Sequence, residues 1–421
     1  MLRWADEQTG DRLVDAVLSV NEHIKARHGQ EAVTASYSAA KATLGSLDEI
    51  ADAIEEAERG VADLRGHPGE YLRGIVGSLK ALTRALQGDD VPYDKVIRAI
   101  QDTPCEPIAE EKAAQLAELL DEDLTDFGYR GDFRSKLSAW LEERRVPPDQ
   151  VVTVAEKYLE RSKGGTLARV ISLPEDDGIE SVNGIRGVFW SGYSKYVGQH
   201  RGTLTFNLDR PWSEPVFVPI LTHEGYPGHQ AFYCRWDDRF ERGEWPFEAS
   251  YYLIDSPTNA LFEGGPETTL HFLGWDDPAS DAPEVTADEK RQFRAGRTYL
   301  DLQRIGMTNA SYFVNMGQMH HDDAIGYMER VGRLRQTEAA LAYRFFTDPV
   351  QRLYYPCYYY GRWMVERAYD TAGPAKRADF FRILYDTPHT TSTFIRAVQD
   401  LTGQSFDPFD ESKWPTLRAQ G

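Results

Sequence analysis

Through the first 165 residues, apolar positions recur at the spacing of amphipathic helices. Ser46-Leu47-Asp48-Glu49 reads as a capping box, and Ile50, Ile54 and Val61 to Leu64 follow at helical intervals. Pro107 suits the first turn of a helix carrying Leu116, Leu119 and Leu120, and Pro147-Pro148 opens another that should end at Gly164-Gly165, just after Lys163. The pattern changes over residues 166–222. Glycine becomes frequent, and Gly187-Val188-Phe189-Trp190 and Thr203-Leu204-Thr205-Phe206-Asn207-Leu208 read as β-type runs. The second run alternates cleanly and predicts a strand. It is either an ordinary hairpin strand or an edge able to pair with an extended peptide, which makes Phe206 and Asn207 candidate substrate contacts.

Helical patterning then resumes. Ser256 and Pro257 read as N-cap and first helical residue of a segment carrying Leu261, Phe262 and Glu263, which meets Gly264-Gly265-Pro266. Residues 285–316 predict one long helix, Asp322-Asp323 open another through Ile325, Met328 and Val331, and residues 349–404 are helical with breaks at Gly373-Pro374 and Pro388. An irregular tail is expected from Phe406. The predicted fold is therefore mainly α, with a helical scaffold and cleft wall over 1–165. The remainder, 166–421, carries the chemistry and a small β element at 166–222.

That chemistry centres on Leu221-Thr222-His223-Glu224-Gly225-Tyr226-Pro227-Gly228-His229-Gln230. Two histidines that bracket a glutamate have the layout of a zinc hydrolase. The imidazoles offer nitrogen to the metal, and the adjacent carboxylate can take a proton from the water that the metal activates. Their spacing is i and i+6 rather than the i and i+4 that share one helix face. At about 100° per residue a regular helix would point them apart. Pro227 cannot donate to the carbonyl of His223, so the helix must distort, and a distorted turn can bring His229 to the same metal. A third ligand is then needed. Glu263, on a separate predicted helix 34 residues beyond His229, is the candidate, with Glu267 as its competitor.

The aromatic run Leu353 to Trp363 adds tyrosines able to donate to a developing oxyanion, with Tyr354, Tyr358 and Tyr359 as candidates. Arg362 beside them could fork onto a substrate carboxylate or form a structural ion pair. His320-His321-Asp322-Asp323 reads as an exposed helix start. His200 lies in the glycine-rich stretch with no spacing argument.

Composition narrows the setting. A chain of 421 residues with 41% hydrophobic and 27% charged positions describes a folded protein, and a net charge of −20 argues against a nucleic-acid partner. Three isolated cysteines (Cys105, Cys234, Cys357) predict no disulfide framework. No apolar signal region opens the sequence and no membrane-length apolar run follows, so the expectation is a cytoplasmic protein without a membrane partner.

The segment His223 to Gln230 resembles the H-E-G-x-P-G-H signature of the bacterial domain of unknown function 885 family, whose members are similar to zinc metallopeptidases of the thimet oligopeptidase group of gluzincins. The resemblance extends to Gly202 through Asn207, to Phe262-Glu263-Gly264, to Asp323 through Met328 and to Pro356 through Gly361, and so covers roughly residues 185–365. It implies an elongated helical body with a deep active-site cleft, a zinc ion on His223, His229 and Glu263, Glu224 as general base, Tyr358 as the oxyanion donor, and short peptides or small amides as substrates. The sequence departs from the family where Gly265-Pro266-Glu267-Thr268 replaces the usual Trp-Ala-Leu-Tyr, where Ser311 to Asn315 replace Asp-Thr-Gly-x-His, and in a short Pro-to-Gly segment. The Gly265-Pro266 departure favours the alternative, a non-catalytic protein that binds a peptide or small ligand in the cleft and has a structural or empty metal site.

Overall fold

The computed structural model describes residues 1–410, so the expected irregular tail falls outside the described residues beyond Asp410. In chain order, α1 (Glu7–His28), β1 (Val33–Ser36), α2 (Leu47–Val61), α3 (Gly66–Gln87), α4 (Tyr93–Gln101), α5 (Glu110–Asp126), α6 (Phe133–Glu143) and α7 (Val151–Arg169) lead to three strands, β2 (Gly178–Ile185), β3 (Gly192–Gly198) and β4 (Arg201–Asn207). Then come α8 (Glu214–Glu224), α9 (His229–Glu241), β5 (Tyr251–Leu253), α10 (Asn259–Glu267), α11 (Thr269–Leu273), α12 (Ala287–Asn315), α13 (His321–Val331), α14 (Gln336–Thr347), α15 (Cys357–Asp386) and α16 (Thr391–Thr402). Among the described residues the protein is mainly helical, with two small sheets.

Local signals set many of the boundaries. Ser46 accepts from the backbone of Glu49, whose carboxylate returns to the Ser46 N–H, and α2 buries Ile50, Ala53, Ile54, Ala57 and Val61 along one face. Thr286 and Glu289 form the same box at the start of α12. Gly373, at φ 64°, interrupts α15 at the predicted Gly373-Pro374 break. Elsewhere packing overrides local preference. α7 continues through Gly164-Gly165 to Arg169, because Gly165 lies close against Leu273. That burial outweighs the roughly 1 kcal/mol glycine cost. α10 starts after Thr258, two residues later than expected, since Ser256 turns its hydroxyl back to the Leu253 carbonyl.

The strands differ most from expectation. β1 and β5, neither of them predicted, pair antiparallel with Ala35 opposite Tyr252, tying the helical scaffold to the segment before α10. Gly187 to Trp190 is a loop, not a strand; its Val188 and Trp190 carbonyls accept from the Asn207 amide. In the three-stranded sheet the order is β2-β4-β3, with β2 parallel and β3 antiparallel to β4. Of the two readings of Thr203 to Leu208, the hairpin strand is the one found: β4 is central and pairs antiparallel with β3, which is an edge.

The largest apolar core draws on both sides of residue 165, from Leu13 and Leu72 through Phe206, Phe217, Leu221 and Phe262 to Met364 and Phe394. A second cluster, including Leu116, Leu302, Met328, Phe346, Tyr359 and Trp363, fills the space between α5, α12, α13, α14 and α15. One charged group sits deep between these elements. Asp255 is 2% exposed, its nearest hydrogen-bond donor is the Gln101 amide at 3.4 Å, and burial pushes its carboxyl up to about 7 against the lowering effect of Arg352. In the unfolded chain the same group loses its proton near pH 4. Between about pH 4 and 7 the folded state therefore binds more protons, and stability falls as pH rises through that window. Asp255→Asn is expected to flatten this slope and to add on the order of a few kcal/mol of stability at pH 8, with a higher thermal midpoint there and little change at pH 4; melts across pH check it.

Candidate metal centre

The apolar run before the motif forms α8, whose Phe217 packs on Phe206 of β4 with ring centroids 5.0 Å apart. α8 carries His223 and Glu224 in its last turn and stops at Gly225. The chain then turns through Tyr226-Pro227-Gly228, and α9 begins at His229. The i, i+6 spacing is thus bridged by a break between two helices, which places the imidazole rings 4.7 Å apart and perpendicular. Gly228 lies so close to the Thr222 and His223 carbonyls that any Cβ would collide with them. Three hydrogen bonds pin the turn: the Tyr226 hydroxyl to Asp177 (2.7 Å), the Gln230 amide to Asp177 (3.0 Å) and the Tyr385 hydroxyl to the Pro227 carbonyl (2.7 Å). Asp177 also accepts Lys163 Nζ at 2.7 Å, so one buried carboxylate organises the whole crossover. No spacing links residue 177 to the motif, so Asp177 is not marked in the sequence as part of the site.

Glu263 comes from α10. That helix crosses α15 at Gly264 and Gly361, each pressed onto the other helix's backbone so that a Cβ on either would overlap a carbonyl. The contact sets Glu263 Oε2 3.2 Å from His223 Nε2 and Glu263 Oε1 3.4 Å from His229 Nε2. The Tyr354 hydroxyl donates to the same Glu263 Oε1. Glu267 lies behind His223, 3.5 Å from Nδ1, and is held by Arg304 at 2.7 Å. The two candidate glutamates therefore occupy different places: Glu263 faces both histidines, and Glu267 backs one of them.

One donor atom each from His223, His229 and Glu263 lies within 4.8 Å of the others. Zinc bonds of about 2.0–2.2 Å arranged tetrahedrally put neighbouring ligand atoms roughly 3.3–3.5 Å apart. The two nitrogen–oxygen separations are close to that edge, one to each oxygen of Glu263. All three side chains are buried, and Glu263 Oε2 and His229 Nδ1 have no hydrogen-bond partner. Two imidazole nitrogens and a carboxylate are a donor set that zinc takes, and Glu267 stands behind the far nitrogen of His223.

Electrostatics agree with a site that wants a cation. Burial pushes His223 down, but the Glu263 carboxylate beside it, with Glu224 and Glu267 behind, brings it up to about 9. His229 is driven well below the ordinary histidine value by burial and by its neighbour His223. Burial also raises Glu263 and pushes Glu224 up to about 7, against the His223 charge and the Ser194 N–H. Three carboxylates packed around two imidazoles leave negative charge that a divalent ion would neutralise.

Glu224 faces a cavity of about 410 Å³ that adjoins a second of about 100 Å³; His223, Glu224, Trp190, Gly192, Phe345 and Tyr358 line both. Gln30, Glu31 and Thr34 reach the larger one from the N-terminal part, and Arg210 and Arg304 line the smaller. The free edge of β3 borders this space, since the Ser194 N–H points away from β4 and onto Glu224. Tyr358 stacks beside His223 at 6.3 Å, with the Arg304 guanidinium 4.4 Å over its ring. Burial and the Glu263 charge hold its hydroxyl protonated.

Four candidates stand elsewhere than expected. Tyr359 points into the second core cluster, since adjacent helical residues diverge by about 100°. Phe206 is buried under α8, and Asn207 spends its side chain on Val188, Trp190 and Asp209, so neither is available to a substrate. Arg362 is buried in ion pairs with Asp301 (2.9 Å) and Glu366 (2.8 Å). Tyr354 is in the site, but its hydroxyl is committed to Glu263. The three cysteines are free and buried, and the His320-His321 turn is an exposed start to α13.

No family model matches this chain, and no curated protein does. Solved structures do. One from Colwellia psychrerythraea, described as a "putative lipoprotein", superposes with a TM-score of 0.58 at 15% identity, over 85% of this chain and 68% of the other. Another, a "putative lipoprotein of unknown function" from Shewanella oneidensis, gives a TM-score of 0.50 at 12% identity, over 87% of this chain and 76% of the other. At these identities the likeness is one of fold alone. Among the described residues, no helix is long and apolar enough to cross a membrane.

Proposed function

We propose that this protein is a zinc-dependent hydrolase of peptide or other amide bonds in short substrates, with the two adjoining cavities as its cleft. The observation that carries this reading is the convergence of His223, His229 and Glu263 on one point, with Glu224 beside it facing the cavity. A zinc ion bound there supplies Lewis acidity, which polarises the scissile carbonyl and acidifies water.

The chain's own residues do the rest. Glu224, buried and titrating near neutrality, takes a proton from the attacking water as its oxygen bonds to the carbonyl carbon. The Tyr358 hydroxyl, a neutral donor with no hydrogen bond to another described residue, is available to the oxyanion that forms. Glu224 then passes the proton to the departing nitrogen as the carbon–nitrogen bond breaks, leaving an acid and an amine. Tyr354 and Glu267 hold Glu263 and His223 in place. An extended substrate can pair with the free edge of β3, and the cavity volume suits a short one.

The binding-protein alternative drew its support from Gly265-Pro266. α10 nevertheless runs from Asn259 to Glu267 through both residues, which supports the catalytic reading. Zinc-loaded protein should cleave members of a set of short peptides or small amides, lose that activity to a chelator and regain it with zinc; no turnover on either set would contradict the proposal. Tyr358→Phe is expected to keep zinc and lower kcat by about 10²- to 10³-fold, read by steady-state kinetics beside metal content.

A further inference from the structure

The geometry points to a second divalent-cation site, built from His200, Asp237 and Glu241 at the far end of α9 and suited to manganese or zinc. One donor atom from each of these residues lies within 4.8 Å of the others. Asp237 and Glu241 are one helical turn apart on α9, so their carboxylates share a face. His200 comes from the tight turn between β3 and β4. Its Nδ1 is 2.8 Å from Asp176 Oδ1, which fixes the ring proton on that nitrogen and leaves a lone pair on Nε2. That Nε2 is 3.9 Å from Glu241 Oε2, and it is buried without any hydrogen-bond partner in a residue only 6% exposed.

Buried polar atoms are paired almost without exception, so an unpaired imidazole nitrogen aimed between two carboxylates asks for a ligand. The carboxylate–imidazole pair formed by Asp176 and His200 is the arrangement that orients a metal-binding histidine. One imidazole nitrogen with two carboxylates suits manganese or zinc better than calcium, which prefers oxygen alone, or copper(I), which prefers sulfur. Tyr196 donates its hydroxyl to Asp237 Oδ2 and leaves the other oxygen of that carboxylate free to bind.

The turn itself is under strain that such an ion would help to hold. Gln199 and His200 are both non-glycine residues at positive φ, 54° and 57°. An ion on His200 would lock this turn to α9. Because α9 begins at His229 and β3 presents its edge to Glu224, the same ion braces the first centre from outside without entering it.

The test uses the full chain carrying His229→Ala, which removes a donor from the first centre. Manganese(II) is titrated in, with the free ion read by electron paramagnetic resonance and the thermal midpoint followed in parallel. The expected result is one bound ion per chain and a manganese-dependent rise in the midpoint. Adding Glu241→Gln or His200→Asn should weaken binding roughly tenfold or more and abolish the rise. Asparagine tolerates the left-handed backbone and can still reach Asp176, but it lacks the distal nitrogen. Glu241 is 60% exposed at its side chain, so Glu241→Gln leaves the packing untouched and decides the matter alone if His200→Asn does not fold. Binding that is undiminished in Glu241→Gln, or no manganese or zinc bound at millimolar concentration without it, would overturn the proposal.

Discussion

Glu224→Gln is expected to keep its zinc and to lose hydrolysis by about 10²- to 10⁴-fold, the usual contribution of a positioned general base. The substitution is nearly isosteric and removes only the capacity to accept and return a proton. Glu224 accepts from the Ser194 N–H and lines the cavity, and it is not one of the three residues whose donor atoms converge, so zinc should be held without it. Glutamine can still meet that N–H through its carbonyl oxygen, so the fold should be undisturbed. Kinetics and elemental analysis on the same preparation separate the two roles. Full activity in the variant would remove Glu224 from the chemistry, and loss of zinc would make it part of the metal site instead.

The second large effect is expected at α10. Glu263→Ala should weaken zinc binding by more than about 100-fold, whereas Glu267→Ala should cost about 10- to 100-fold, the range for residues that orient a ligand from behind. The ordering follows from position: Glu263 stands 3.2 and 3.4 Å from the two histidine nitrogens, while Glu267 reaches only the rear nitrogen of His223. A thermal readout separates metal binding from folding. Glu263 pairs with His223 and accepts from Tyr354, so its removal should also lower the midpoint of the metal-free protein, and the zinc-dependent rise rather than the absolute midpoint is the readout. Zinc should raise the wild-type midpoint by mass action and leave that of Glu263→Ala unchanged. Competition titrations against a zinc indicator give the affinities, and the reverse ordering of the two glutamates would exchange their roles.

Much of the helical architecture was legible because its signals are local. A serine three residues before a glutamate, with apolar positions at helical spacing behind them, is enough to start α2 at Leu47. The grouping of His223 with His229 was also legible, since Pro227 and Gly228 inside the spacing require a break and a break can turn one histidine towards the other. What the sequence could not supply was phase and partnership. Tyr358 and Tyr359 are equivalent letters in an aromatic run, and only the seating of α15 on α10 decides which of them meets His223. Arg362 can be read as a substrate fork or a structural ion pair, and α12 and the next turn of α15 decide for the ion pair by bringing Asp301 and Glu366 to it. Thr203 to Leu208 alternates as an edge strand would, but strand order is settled by what packs on each side. β3, flanked by Gly192 and Gly198, takes the edge. Asp177, which joins Tyr226, Gln230 and Lys163 at the crossover, carries no mark in the sequence beyond its place in a turn.

The claim on which the rest depends is that the broken-helix spacing of His223 and His229 builds a zinc centre with Glu263. Its most direct test is the zinc content of purified protein, by elemental mass spectrometry after zinc is supplied and excess removed, in wild type and in His229→Ala. The wild type should retain zinc, and the variant should hold about one ion per chain less. Equal zinc in the two proteins, or none in either, would contradict it.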